Sequence, residues 1–141
     1  MPIIGNYSYK ACNISIDRDN PMKALRGISN SVKLLNDNPN TSLSMFPEGT
    51  RSKSGEMLPF HATTFIIAEK TKLPIVLMTI QNANAVKHRF PFRRTVVYLD
   101  VVKVITSEEI EKMSTQEMSD ISHELISKHL EENQDRLYKT K

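Results

Sequence analysis

The feature that most restricts the fold is an alternation of period along the chain. Short β-type apolar runs are separated by segments whose apolar residues recur at helical spacing. Asn13 to Asp17 alternates, with Ile14 and Ile16 on one face, and reads as a short strand. Asn20-Pro21 supplies an N-cap and a first-turn proline, and Met22, Leu25, Ile28, Val32 and Leu35 then follow as one helical stripe. Asn36-Asp37-Asn38-Pro39 stops that helix, and Ser42 to Phe46 reads as a second strand. A loop rich in Pro, Gly and Ser runs to about Pro59, a shorter helix is expected over Thr63 to Lys70, and Leu73 to Ile80 reads as a buried strand. Thr95 to Ile105, rich in Val and Ile, is a further strand. Thr106 to Glu109 and Ser114 to Glu117 each place a glutamate three residues after a hydroxyl, the spacing of a capping box. The second opens a C-terminal helix with Met118, Ile121, Leu125, Ile126 and Leu130 expected to face inward. Strands alternating with helices in this order predict an α/β domain with a mainly parallel sheet and flanking helices.

The length, 141 residues, suits one domain, with its informative part over 12–80 and a C-terminal strand and helix over 95–135. The net charge of +3, from 19 basic and 16 acidic residues, is too small by itself to imply nucleic acid. Lys87, His88, Arg89, Arg93 and Arg94 nonetheless crowd into one stretch, either a solvated loop or a face that docks an anion. Only Phe90 and Phe92 accompany these charges as stacking platforms, so a nucleic-acid partner is not expected. The single cysteine, Cys12, excludes an internal disulfide. No run is long and apolar enough for a membrane span, and the N-terminus lacks the pattern of a secretory leader.

The chemistry concentrates in Phe46-Pro47-Glu48-Gly49-Thr50-Arg51-Ser52, directly after an expected strand. Gly49 lets the backbone turn and approach a ligand closely. Thr50 and Ser52 offer hydroxyls, successive backbone N–H groups in such a turn form an anion nest, and Arg51 carries a planar fork matched to phosphate. Glu48 could orient that arginine or bond a neighbouring hydroxyl. The plain alternative is a surface turn in which Arg51 and Glu48 form an exposed ion pair of little consequence.

These seven residues resemble the FPEGTRS signature of the glycerolphosphate and lysophosphatidic acid acyltransferase family, matched at every position. Asn13 to Arg18, ending Ile16-Asp17-Arg18, is similar to the family's upstream block. Leu58-Pro59-Phe60 resembles the segment after the signature, and Leu73-Pro74-Ile75-Val76 resembles its last block. The order and spacing agree over roughly the first 80 residues. The resemblance implies that the signature loop holds the phosphate of an acyl acceptor, with Arg51 as main ligand and Glu48, Gly49 and Thr50 shaping the loop. Arg18 lies in the block that the family associates with the same acceptor, although a lone arginine there is equally an ordinary surface residue. Three departures stand out: Cys12 where the family often has glycine, His61-Ala62-Thr63 after Pro59-Phe60, and Leu77 where a second proline is usual.

The resemblance further implies transfer of a fatty acyl group from acyl-CoA or acyl-acyl carrier protein to a lysophospholipid or glycerol phosphate, at the cytoplasmic face of a membrane, with no metal or cofactor. That reaction needs a base for the hydroxyl proton, which the family supplies as a histidine followed five residues later by aspartate. The four histidines here, His61, His88, His123 and His129, are followed at that distance by Ile66, Arg93, Lys128 and Gln134. Because Met1 to Tyr9 resembles an interior segment of the family, the chain is expected to begin inside the domain. The alternative function is a non-catalytic piece that binds phosphate-bearing lipid or a membrane surface. His61, close to the signature in sequence, could meet the acceptor phosphate or serve only structure or solvation.

Overall fold

A computed structural model of the chain describes residues 21–50, 52, 56–83, 85 and 94–137. The chain divides into two compact units, Met1–Met45 and Phe46–Lys141. The expected strand at Asn13 to Asp17 and residue Arg18 lie outside the described residues.

In the first unit, helix α1 spans Pro21–Asp37. Ile28, Ser31 and Leu35 form its buried stripe, and Ser31 satisfies its hydroxyl within the helix by donating to Gly27 O at 2.9 Å. Met22 and Leu25, expected on the same inward stripe, are largely exposed. The helix ends where Asn38 folds back on it: its backbone N–H and its side-chain amide both donate to Leu34 O, at 3.1 and 3.0 Å. Pro39 cannot extend the ladder beyond that point. Ser42 to Phe46 is irregular rather than a strand. A strand exists only through its partner, and among the described residues none pairs with this segment.

The second unit begins with the loop that leads to a 3₁₀ turn, Ala62–Phe65, which runs directly into α2, Ile66–Thr71. Lys72 closes α2 in the left-handed region (φ 56°), donating its N–H to Ala68 O at 2.8 Å. Strands β1, Ile75–Gln81, and β2, Tyr98–Ile105, follow, then α3, Ser107–Ile110, α4, Thr115–Glu132, and a final 3₁₀ turn, Gln134–Leu137. Both expected capping boxes form. Thr106 and Ser114 each accept from the backbone of the glutamate three residues on, and Glu109 and Glu117 each reach back to the cap.

The chain is thus a mixture of helix and strand, but the sheet among the described residues is two-stranded and antiparallel rather than mainly parallel. Its pairs run from Ile75 with Ile105 to Gln81 with Tyr98, and Val102 is an extra residue opposite the Leu77–Met78 step, a β-bulge. The reason lies in the burial pattern. Parallel strands are covered on both faces, whereas β1 and β2 alternate between a packed and an open face. On the open face Val76, Met78, Ile80, Leu99, Val101 and Val104 are 43–60% exposed. On the packed face Leu77 and Ile105 join Phe65, Ile110 and Met118 in one core, with Phe60, Ala68 and Leu125 around it. The inward face of α4 is narrower than expected. Met118 is fully buried, but Ile121 is exposed and the small Ser119 and Ser122 are buried. Among the described residues no helix is long and apolar enough to cross a membrane.

Candidate functional site

The segment singled out by its sequence forms a loop whose two ends are tied together. Gly49 N–H donates to Phe46 O at 3.0 Å, closing a four-residue turn with Pro47 at its second position. There the proline ring presets the required φ. Gly49 sits at φ 70°, in the left-handed region that a residue with a Cβ enters only at a cost. Two cross-links then close the larger loop. The Leu58 N–H donates to Glu48 Oε2 at 3.0 Å, and the His61 N–H donates to Pro47 O at 3.0 Å.

The outgoing end is anchored by the helix that carries the core. Phe60 packs against the core cluster and meets the edge of the His123 ring, with centroids 5.0 Å apart and planes at 78°. Its carbonyl accepts from Ser119 Oγ at 3.4 Å. Ser119 and His123 lie one turn apart on α4, so a single helical face grips the segment after the signature. Nothing in the sequence pairs either residue with Phe60, because the contact spans about sixty positions and only the fold creates it.

Of the expected acceptor-binding set, Glu48, Gly49 and Thr50 are brought together in this turn, while Arg51 and Arg18 lie outside the described residues. Thr50 is exposed, and Glu48, Gly49 and Ser52 are half-buried. Thr50 thus lies at the surface, while the Glu48 carboxylate is engaged by the Leu58 N–H. His61 contributes its backbone to the neck of the loop, and its side chain is exposed. In the basic stretch Lys87, His88, Arg89 and Arg93 lie outside the described residues, and Arg94 is exposed. The Asn82 side chain, from a residue at φ 66°, donates to Val96 O at 2.7 Å and so ties together the two ends of that stretch.

One histidine finds a carboxylate that the sequence did not announce: His129 Nε2 lies 3.4 Å from Asp100 Oδ2, tying α4 to β2. The acid stands 29 positions before the imidazole, so spacing alone could not reveal it. At that length the bond is a weak tie. Two carboxylates at the helix starts are held in their charged form. The Thr106 N–H, then Lys103 at 3.0 Å, holds Glu109 below the usual carboxylate range, and the Ser114 backbone and hydroxyl do the same for Glu117. An open, mainly apolar depression of about 200 Å³ lies beside the first box, between Lys103, Lys112, Met113 and Ile121, with no residue of the 46–61 loop in its lining. Among the described residues no group of His, Cys, Asp and Glu is placed to hold a metal ion.

Comparison with known proteins gives a consistent result. A family model described as Acyltransferase matches residues 1–81. A 1-acyl-sn-glycerol-3-phosphate acyltransferase of Cocos nucifera is 32% identical over 135 residues, covering 94% of this chain and 44% of its own length. The protein of the same name from Limnanthes douglasii is 37% identical over 92 residues, covering 65% of this chain and 32% of its own length. That from Haemophilus influenzae is 25% identical over 139 residues, covering 99% of this chain and 58% of its own length. The chain thus spans between about a third and three fifths of the length of these relatives. No solved structure matches it.

Proposed function

The chain belongs to the acyltransferase family, and from that premise we propose that it serves phospholipid synthesis by holding a phosphate-bearing acceptor for acyl transfer. The acceptor is a glycerol phosphate already acylated once, the substrate after which its relatives are named. The donor is an acyl thioester, acyl-CoA or acyl-acyl carrier protein. In the reaction the free hydroxyl oxygen of the acceptor attacks the thioester carbonyl, the thiolate leaves, and the hydroxyl proton ends on the departing sulfur by way of a base. The 141 residues contain no histidine with an aspartate five positions on, and the proposal assigns the base to none of the four histidines.

The observation that carries this reading is the closed turn at Gly49, held from behind by Glu48 and Leu58, within a seven-residue match to the family's signature. A phosphate monoester needs donors converging from one side. In this proposal the Thr50 hydroxyl, the guanidinium of Arg51 and backbone N–H groups not already spent in closing the turn supply such donors. Arg51 is assigned as the main ligand, Gly49 and Thr50 as shaping the nest, Glu48 as supporting it, and Arg18, in the upstream block, as a further acceptor-binding residue. In the same proposal the domain is α/β with a mainly parallel sheet. The protein works peripherally, at the cytoplasmic face of a membrane, with no metal or cofactor.

Acceptor selectivity tests the proposal. The purified chain is titrated with lysophosphatidate and, separately, with lysophosphatidylcholine of the same acyl length. Saturable binding of lysophosphatidate alone, competed by glycerol 3-phosphate, is the expected result. Equal binding of the choline ester, which has no free phosphate monoester, would overturn it.

A further inference from the structure

Glu48 is an anomaly in a loop built to hold an anion. A carboxylate beside a bound phosphate repels it, most strongly where water is partly excluded. Its charge is tolerable there only if it is turned away from the ligand and used elsewhere. The geometry shows where: Glu48 Oε2 accepts the Leu58 N–H at 3.0 Å, across ten residues. The intervening stretch includes Gly49, Ser52, Ser54 and Gly55, a composition with high backbone entropy when unconstrained. The side-chain clasp lies inside the wider backbone tie between His61 and Pro47, and Phe60, two residues past Leu58, is fixed by α4. Closing the loop at Leu58 therefore connects the turn at Gly49 to the rigid core.

We propose that Glu48 is a positioning residue: its carboxylate clasps the Leu58 N–H and holds the phosphate loop closed, without itself contacting the acceptor. This rests on the phosphate-binding reading above. A neutral amide oxygen accepts the same N–H, so Glu48→Gln keeps the clasp. Glu48→Ala removes the acceptor, and Glu48→Asp, one methylene shorter, falls short of it. Leu58→Pro removes the donor from the other side.

The test combines amide hydrogen exchange at Leu58 with titration of glycerol 3-phosphate into the 141-residue chain and these variants. Exchange at Leu58 should quicken in Glu48→Ala and Glu48→Asp and stay slow in Glu48→Gln. Dissociation constants should rise about ten- to a hundredfold for Glu48→Ala and stay within about threefold for Glu48→Gln, with Leu58→Pro adding little to Glu48→Ala. If Glu48→Gln loses affinity as badly as Glu48→Ala, the charge acts on Arg51 or the ligand and the clasp is refuted. Unchanged Leu58 exchange in Glu48→Ala would refute it too. Should Glu48→Ala not fold, Glu48→Gln still decides the matter, since its retained exchange and affinity are required. Failure of the wild-type chain to bind glycerol 3-phosphate, with the exchange pattern as expected, would sink the phosphate-binding reading and leave the clasp standing.

Discussion

Replacing Gly49 by alanine separates a strained turn from an ordinary one by the sign of its effect. At φ 70° a Cβ crowds the following carbonyl, at a cost of about 1–2 kcal/mol. The turn could escape that strain only by opening. Opening would forfeit the Leu58 N–H to Glu48 Oε2 bond, a charged hydrogen bond worth roughly 1.5–3 kcal/mol, together with the ordinary backbone bond from His61 to Pro47. Closure therefore wins, and the strain is carried by the folded unit. Urea denaturation of Gly49→Ala should show a loss of about 1–2 kcal/mol, a five- to thirtyfold drop in the folded ratio, while affinity for glycerol 3-phosphate changes less. Gly49→Asn should fall between the two, because asparagine enters the left-handed region more readily. Were the glycine at an ordinary φ, alanine would instead stabilise the protein by about 0.4–1 kcal/mol through the unfolded chain. A midpoint that rises or stays put on Gly49→Ala refutes the turn geometry.

The core, the helix starts and the open sheet face make three further predictions. Met118 is fully buried in the cluster with Ile105 and Ile110, so Met118→Ala should cost about 2–5 kcal/mol in chemical denaturation, against a negligible change for the exposed Met22→Ala. Their capping bonds hold Glu109 and Glu117 below the usual carboxylate range, so those bonds contribute above the unfolded value and are lost as pH falls through the folded ones. Helical circular dichroism of α3 and α4 should therefore decline below about pH 4.5, and Glu109→Gln with Glu117→Gln, which cap without titrating, should flatten that decline. The apolar pairs Val76–Val104, Met78–Val101 and Ile80–Leu99 leave one sheet face open. The chain should therefore associate as its concentration rises in analytical ultracentrifugation, and Leu99→Lys with Val101→Lys should remove that association without lowering Tm.

What the sequence disclosed was mostly what is decided locally. The capping boxes at Thr106 and Ser114 appear as read, because each needs only a hydroxyl and a glutamate three residues apart. The strand expected over Leu73 to Ile80 forms from Ile75, and the one expected from Thr95 forms from Tyr98, since Val and Ile runs mark strands without fixing their ends. Direction and partnership are not local. The alternation of helices and strands suggested parallel pairing, yet β1 and β2 run antiparallel, and among the described residues Ser42 to Phe46 has no partner with which to become a strand. Likewise Ile121 carries the right side chain for the core but stays exposed, while Ser119 and Ser122 on the same helix are buried. In the loop, the turn at Gly49 was legible because positive φ selects glycine. The clasp from Glu48 to Leu58 was not, since it joins a side chain to a backbone donor that any residue but proline carries.

Titration of glycerol 3-phosphate into the chain and into its Arg51→Ala variant, by calorimetry at two salt concentrations, measures the phosphate site most directly. Saturable binding that weakens with salt is expected for the wild type, and its loss when the guanidinium is removed. Identical isotherms for the two proteins would contradict it.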